Sequence, residues 1–274
     1  MSLNRQTLIR RIGTAVGGLL VLFLFVWLLP KWCLHLLLVG LCLIGVMEFE
    51  TIAKAMGYRI YRTVVFGTLF LGIASIYTTK VHLVWVPYLS MALCGLVSLF
   101  PGEDMKKSFP QVGISLLATA YLGFTFIAIA YLFNVDVVGR MLVTFCLLMV
   151  WAGDTTAYFV GSMLGKHKIA PKASPKKTYE GTFGNLLGNF AMAWLAKSFV
   201  FPQMDFVDVI VLSLAFGLLG FFGDIIESTW KRGAGIKDSG HIFPGHGGLL
   251  DRIDSIFMTA PILYVYMKYV VLNF

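Results

Sequence analysis

The sequence predicts an all-α, polytopic membrane protein of about nine transmembrane helices, with its N-terminus in the cytoplasm and its C-terminus outside. Three observations predict it. Of 274 residues, 58% are apolar and only 13% are charged, against roughly 45–50% and about 25% in soluble domains; mean hydropathy is +0.82. The apolar residues form long continuous runs and do not alternate with period two, which selects helices over a closed barrel. Lysine and arginine cluster in every second connection between runs, the charge asymmetry of inserted helices. The same composition excludes a disordered chain, a collagen-like repeat and a small disulfide scaffold. It also excludes a soluble globule, whose single core could not hide so much apolar surface.

Each element follows from the length a bilayer demands, about 20 apolar residues per helix. Nine segments qualify: 12–29, 32–49, 64–79, 81–100, 112–133, 137–160, 182–201, 207–227 and 253–272. The first is too long for a removable signal peptide and lacks its small-residue cleavage site, so it reads as a retained helix. The third is short, which suits a tilted or re-entrant helix. With the N-terminus inside, 17 of the 22 lysines and arginines fall on the cytoplasmic side, and the other five are Lys31, Lys80, Arg140, Lys197 and Lys268. That distribution accounts for most of the net charge of +8 without a nucleic-acid partner. Cys33, Cys42, Cys94 and Cys146 all sit in apolar runs with no CxxC spacing, and read as small buried hydrophobes. The two longest connections, 161–181 and 228–252, are cytoplasmic, and neither is long enough to fold alone. Residues 1–110 read as a scaffold of helices poor in polar groups. Residues 111–274 read as the region that carries chemistry.

Four constellations stand out there. The first is Trp151-Ala-Gly-Asp154-Thr-Thr-Ala-Tyr158-Phe-Val-Gly161. A carboxylate inside an apolar run is costly and calls for a partner or a polar cavity; Asp154 is either a ligand for metal or substrate, or is bonded to a neighbouring helix. The second is Ser174-Pro175-Lys176-Lys177-Thr178-Tyr179-Glu180-Gly181. Ser-Pro imposes an extended or turn geometry at Ser174, and two lysines and two hydroxyls precede a helix N-terminus, where free N–H groups favour anions. A plain positive-inside loop would also carry those lysines. The third is Gly223-Asp224-Ile-Ile-Glu227-Ser228, which puts two carboxylates and a hydroxyl on one helix face. Such carboxylates repel unless something positive lies between them. Oxygen donors without cysteine or paired histidine favour Mg²⁺ over Zn²⁺. The fourth runs through Lys231-Arg232 and Lys237-Asp238 to Gly245-His246-Gly247-Gly248-Leu-Leu-Asp251-Arg252-Ile-Asp254. Its glycines allow a backbone to approach a ligand. Asp251 and Asp254 share i, i+3 spacing at the start of the last span, where helix capping is the simpler role. His241 and His246 could bind phosphate or move protons.

Residues 228–254 read S-x-x-K-R-x(4)-K-D-x-G-x-x-F-P-x-H-G-G-L-x-D-R-I-D. This resembles the signature of the phosphatidate cytidylyltransferases, also called CDP-diacylglycerol synthases, and the segments Asp154–Gly161 and Ser174–Gly181 resemble that family's other characteristic stretches. The resemblance implies transfer of CMP from CTP to phosphatidic acid, giving CDP-diacylglycerol and pyrophosphate. It also implies a divalent-metal requirement and a homodimer. On that reading Asp224, Asp251, Lys237 and His246 form the catalytic set. Mg²⁺ would sit on Asp224 and Asp251, with Asp154, Glu227 and Asp254 as further ligands and room for a second, monovalent cation. Ser174, Lys176, Lys177, Thr178, Glu180, Ser228, Lys231, Arg232, Gly247, Gly248 and Arg252 would bind substrate. The site would face the cytoplasm of a bacterial inner membrane, because CTP arrives from water and the lipid from the leaflet. Two other readings compete. A CTP-dependent polyprenol or phytol kinase would also use acidic and basic cytoplasmic loops, but would need a base to activate a hydroxyl. An ion or solute carrier would place Asp154 and Asp224 near the midplane and show repeat symmetry.

Overall fold

Every apolar run covered by the structure is helical. The structure is a computed structural model and describes residues 23–78, 85–100, 105–242 and 247–272. Most of the first predicted span, and His246, lie outside the described residues. Ten of the described elements follow in order: α1 (Lys31–Ala55), α2 (Arg62–Ala74), α3 (Trp85–Val97), α4 (Met105–Asn134), α5 (Gly139–Leu164), β1 (Lys168–Ala170), β2 (Ser174–Thr178), α6 (Tyr179–Phe199), α7 (Phe206–Gly233) and α8 (Leu250–Ile253). The last helix, α9 (Ile256–Tyr266), runs into a π-helical turn at Met267–Val271. Among the described residues α1, α4, α5 and α7 are long and apolar enough to cross a membrane, and Arg62–Tyr77, Trp85–Val97 and Ile256–Val271 are shorter apolar helices.

The helix ends follow local chemistry. Asp205 and Asp208 form a reciprocal capping box at the start of α7, each side chain accepting the other's backbone N–H, at 2.9 and 2.7 Å. Thr178 caps α6 by accepting the N–H of Gly181, 3.1 Å away. The predicted loop 161–181 contains a small antiparallel hairpin, β1 with β2, in register Lys168↔Thr178 and Ala170↔Ser174. The extended geometry that Pro175 imposes on Ser174 is thus used as a strand.

The chain forms two compact units. One holds the described residues up to Leu122 together with Ile236–Arg252; the other holds Gly123–Gly235 and the residues from Ile253 onward. The glycine-rich segment goes with the N-terminal helices.

In the first unit, buried hydroxyls on the lower half of α4 find partners nearby. Ser115 Oγ accepts the N–H of Tyr61 at 2.9 Å, and Thr119 bonds Ser90 at 2.8 Å. Phe49 packs against Tyr121 with ring centroids 6.1 Å apart.

In the second unit, α6 lies against α5 through small residues. A Cβ on Gly184 would come within 2.7 Å of Val160 Cβ, and one on Gly188 within 2.6 Å of the Ala152 carbonyl. Close backbone approach of this kind is how helices associate where no hydrophobic force draws them together.

The last span differs from expectation. The helix breaks at Asp254–Ser255, in the turn between α8 and α9. At this break the Asp254 carbonyl packs against Gly223, where any side chain would collide with it.

Candidate active site

A pocket of about 640 Å³ opens in the second unit, and three of the four constellations reach it. Helix α5 contributes Asp154 and Tyr158, one turn apart. The hairpin contributes Lys168, Ser174, Lys176 and Lys177, and α7 contributes Phe221 and Asp224. The pocket thus has a cationic wall built on two strands and an anionic wall built on two helices.

The charges are organised by direct contacts. Lys177 Nζ lies 2.5 Å from Asp224 Oδ2 and 4.8 Å above the centre of the Phe221 ring, so its ammonium is held by a carboxylate and an aromatic face. Ser228 Oγ donates to Asp224 Oδ1 at 3.1 Å, the bond expected of an i, i+4 pair. Glu227 is fully buried and pairs with Lys231, also buried, at 3.0 Å. The two carboxylates of α7 that required a positive neighbour therefore have one lysine each. Asp254 lies within electrostatic range of Asp224, Glu227 and Asp154. Among the described residues no three His, Cys, Asp or Glu side chains form a ready-made metal cage.

Other sequence candidates have structural duties. Glu180 Oε1 bonds His167 Nδ1 at 2.7 Å, and its carboxylate also receives the His167 N–H. That histidine contact, more than any other, holds the Glu180 carboxyl down to about 2. The Tyr179 N–H donates to the His167 carbonyl at 3.0 Å, which ties the end of the hairpin to the start of α6. Thr178 is buried as the cap of that helix. Lys237, Arg232 and Arg252 are exposed.

The glycine-rich segment is organised within the first unit. Asp251 Oδ2 accepts the N–H of Gly248 at 2.7 Å and the N–H of Ser239 at 3.0 Å, and the Ser239 hydroxyl oxygen lies 3.1 Å from it. Gly247 has a φ of +85°, a region that favours glycine, and a Cβ there would come within 2.5 Å of Asp251 Oδ2. Asp251 is thus the hub of its own loop as well as a candidate ligand.

A family model described as the cytidylyltransferase family matches residues 9–270, nearly the whole chain. The chain belongs to the cytidylyltransferase family. Similar proteins carry the name phosphatidate cytidylyltransferase. The one from Staphylococcus epidermidis is 38% identical over 160 residues, covering 58% of this chain and 60% of that protein. The one from Bacillus subtilis is 36% identical over 157 residues, covering 57% of this chain and 58% of that protein. A Staphylococcus aureus protein is 38% identical over 160 residues, with 58% and 60% covered. The match therefore spans about 60% of the length of these relatives.

For this cytidylyltransferase-family chain, sequence reasoning missed two features. Asn185 on α6 lines the pocket, and nothing in its spacing marked it. Glu48 on α1 lies in the part read as scaffold, yet it is a buried carboxylate. A Glu near the end of an apolar run was the available signal.

Proposed function

We propose that this protein is a phosphatidate cytidylyltransferase: it transfers CMP from CTP to phosphatidic acid, releasing pyrophosphate, at the cytoplasmic face of a bacterial inner membrane. The observation that carries the reading is the pocket that gathers Lys168, Lys176 and Lys177 with Asp154 and Asp224, in a chain of this family whose relatives bear that name.

The chemistry suits such a pocket. A phosphate oxygen of phosphatidic acid attacks the α-phosphorus of CTP; the new P–O bond forms as the bond to the β-phosphate oxygen breaks. A phosphomonoester with a second pKa of about 6 is already mostly ionised at neutral pH, so no strong general base is required. What the reaction needs is positive charge around two anions and a leaving pyrophosphate. Lys168 and Lys176 supply it from the hairpin. Lys177 does so while steered by Asp224 and Phe221. Mg²⁺ commonly binds through one or two carboxylates, with water and substrate phosphates completing its shell. Asp154 and Asp224 fit that mode, and the ion would neutralise charge on the phosphates. Glu227, already paired with Lys231, supports the helix that carries Asp224. Lys237, Asp251 and Arg252 are assigned to the reaction by the signature, and a homodimer of nine-span subunits by the family resemblance.

The test is turnover of purified protein in detergent with CTP, phosphatidic acid and Mg²⁺. CDP-diacylglycerol and pyrophosphate should form in equal amounts, and a chelator should stop both. CDP as the nucleotide product, or no CDP-diacylglycerol, overturns the reading.

A further inference from the structure

The apolar helix α1 carries one buried carboxylate. Glu48 is 7% exposed, and both of its oxygens are used. Oε1 accepts the N–H of Leu249 at 2.9 Å; Oε2 accepts the N–H of Leu250 at 2.9 Å and the hydroxyl of Ser239 at 2.8 Å. Ser239 is itself 2% exposed, and its hydroxyl also faces Asp251 Oδ2. Two glycines of the signature lie against this carboxylate. A Cβ at Gly240 would come within 2.5 Å of Oε1 and 2.8 Å of Cδ, and one at Gly248 within 2.6 Å of Oε1. Gly240 and Gly248 therefore leave room for Glu48, where the sequence suggested room for a ligand.

We propose that Glu48 is the positioning residue of the signature loop: it holds Ser239 and the Leu249–Leu250 amides, and through Ser239 it sets the orientation of Asp251. The proposal rests on the reading that the signature serves the cytidylyl transfer. Burying a carboxylate in a membrane helix is costly unless it is fully hydrogen-bonded. Here the cost is offset by three donors from one loop. Glutamine cannot replace it, because the amide has one acceptor oxygen. Its NH₂ group would confront either the Leu249 N–H or the Leu250 N–H and Ser239 hydroxyl.

The experiment uses the full-length protein in detergent, with Glu48→Gln, Glu48→Ala, Gly240→Ala and the Glu48→Ala/Gly240→Ala double variant. Two readouts are taken: kcat and KM per folded molecule, and hydrogen exchange of the peptide spanning 236–252. Glu48→Gln should lower kcat at least tenfold, keep the melting temperature within a few degrees, and raise exchange at Leu249 and Leu250. Gly240→Ala should be damaging alone, yet should add less than twofold to Glu48→Ala, since the new methyl enters the space the carboxylate vacated. Such non-additivity is what two groups in direct contact give.

Wild-type kcat and unchanged exchange in Glu48→Gln would overturn the proposal, as would additive losses in the double variant. If Glu48→Ala does not fold, Glu48→Gln and the exchange data decide. Should the wild type make no CDP-diacylglycerol, the functional reading fails while the exchange data still judge the clamp.

Discussion

At the scale of single residues, Asp251 separates two roles that sequence alone could not. Three of its loop contacts converge on one oxygen, Oδ2. Asparagine can put its carbonyl oxygen in that place and keep all three. Asp251→Asn should therefore preserve the loop, with a melting temperature within a few degrees of wild type. If the negative charge also serves the reaction, turnover should fall on the order of 100-fold, the scale of losing one preorganised electrostatic contact. Kinetics and thermal melts on the same preparation check this; near-normal turnover would leave Asp251 with the loop role alone. The pairs legible in the sequence are those at helical spacing. Asp224 with Ser228, and Glu227 with Lys231, are i, i+4 neighbours, and the periodicity of a helix dictates their meeting. Glu48 was illegible because its partners lie 191 to 202 residues away. Only the folded chain brings this carboxylate to a distant loop.

At the scale of elements, the second unit is held by α5 and α6 lying closer than ordinary side chains allow. Gly153 faces the amide of Asn185, and Gly161 and Gly165 face Thr178, the cap of α6. The contact that seats the two helices thus also fixes the end of the hairpin that bears Lys176 and Lys177. A methyl at Gly188 would meet the Ala152 carbonyl at 2.6 Å, and a backbone atom cannot swing aside. Gly188→Ala should destabilise the protein by about 1–3 kcal/mol, as overpacking does. Gly40 on α1 has nothing within 4 Å of its would-be Cβ, so Gly40→Ala should be neutral or stabilising by up to about 1 kcal/mol. Thermal unfolding in detergent compares them, and equal effects at both positions would refute the close-approach argument. The glycines of α5 and α6 were visible in the sequence, but which of them touch a neighbour was not. The hairpin was half visible: Ser-Pro announced extended backbone, whereas its pairing with Lys168–Ala170 depends on where α5 stops.

At the scale of the whole molecule, the described helices fall on predicted apolar runs, and α1, α4, α5 and α7 have the length that bilayer thickness demands, a constraint that acts on sequence directly. Sidedness rests on a different force, the retention of lysine and arginine in the cytoplasm during insertion. It makes a sharp statement about three exposed positions: Asp136, Lys172 and Lys237. Asp136 lies between α4 and α5, Lys172 in the turn of the hairpin, and Lys237 after α7. The topology expected from the sequence, with the N-terminus inside and α4 crossing outward, would put Asp136 on the exterior and Lys172 and Lys237 on the cytoplasmic side. In a variant lacking Cys33, Cys42, Cys94 and Cys146, single cysteines at these positions can be challenged in intact cells with a membrane-impermeant maleimide. Cysteine at 136 should react from outside. Cysteines at 172 and 237 should react only after the membrane is opened, because the proposed function has the pocket beside the hairpin receive its nucleotide from the cytoplasm. Reaction of the 172 cysteine from outside would invert the topology and count against the proposed use of cytoplasmic CTP. Protection of the 136 cysteine in intact cells would break the alternation on which the count of nine crossings depends.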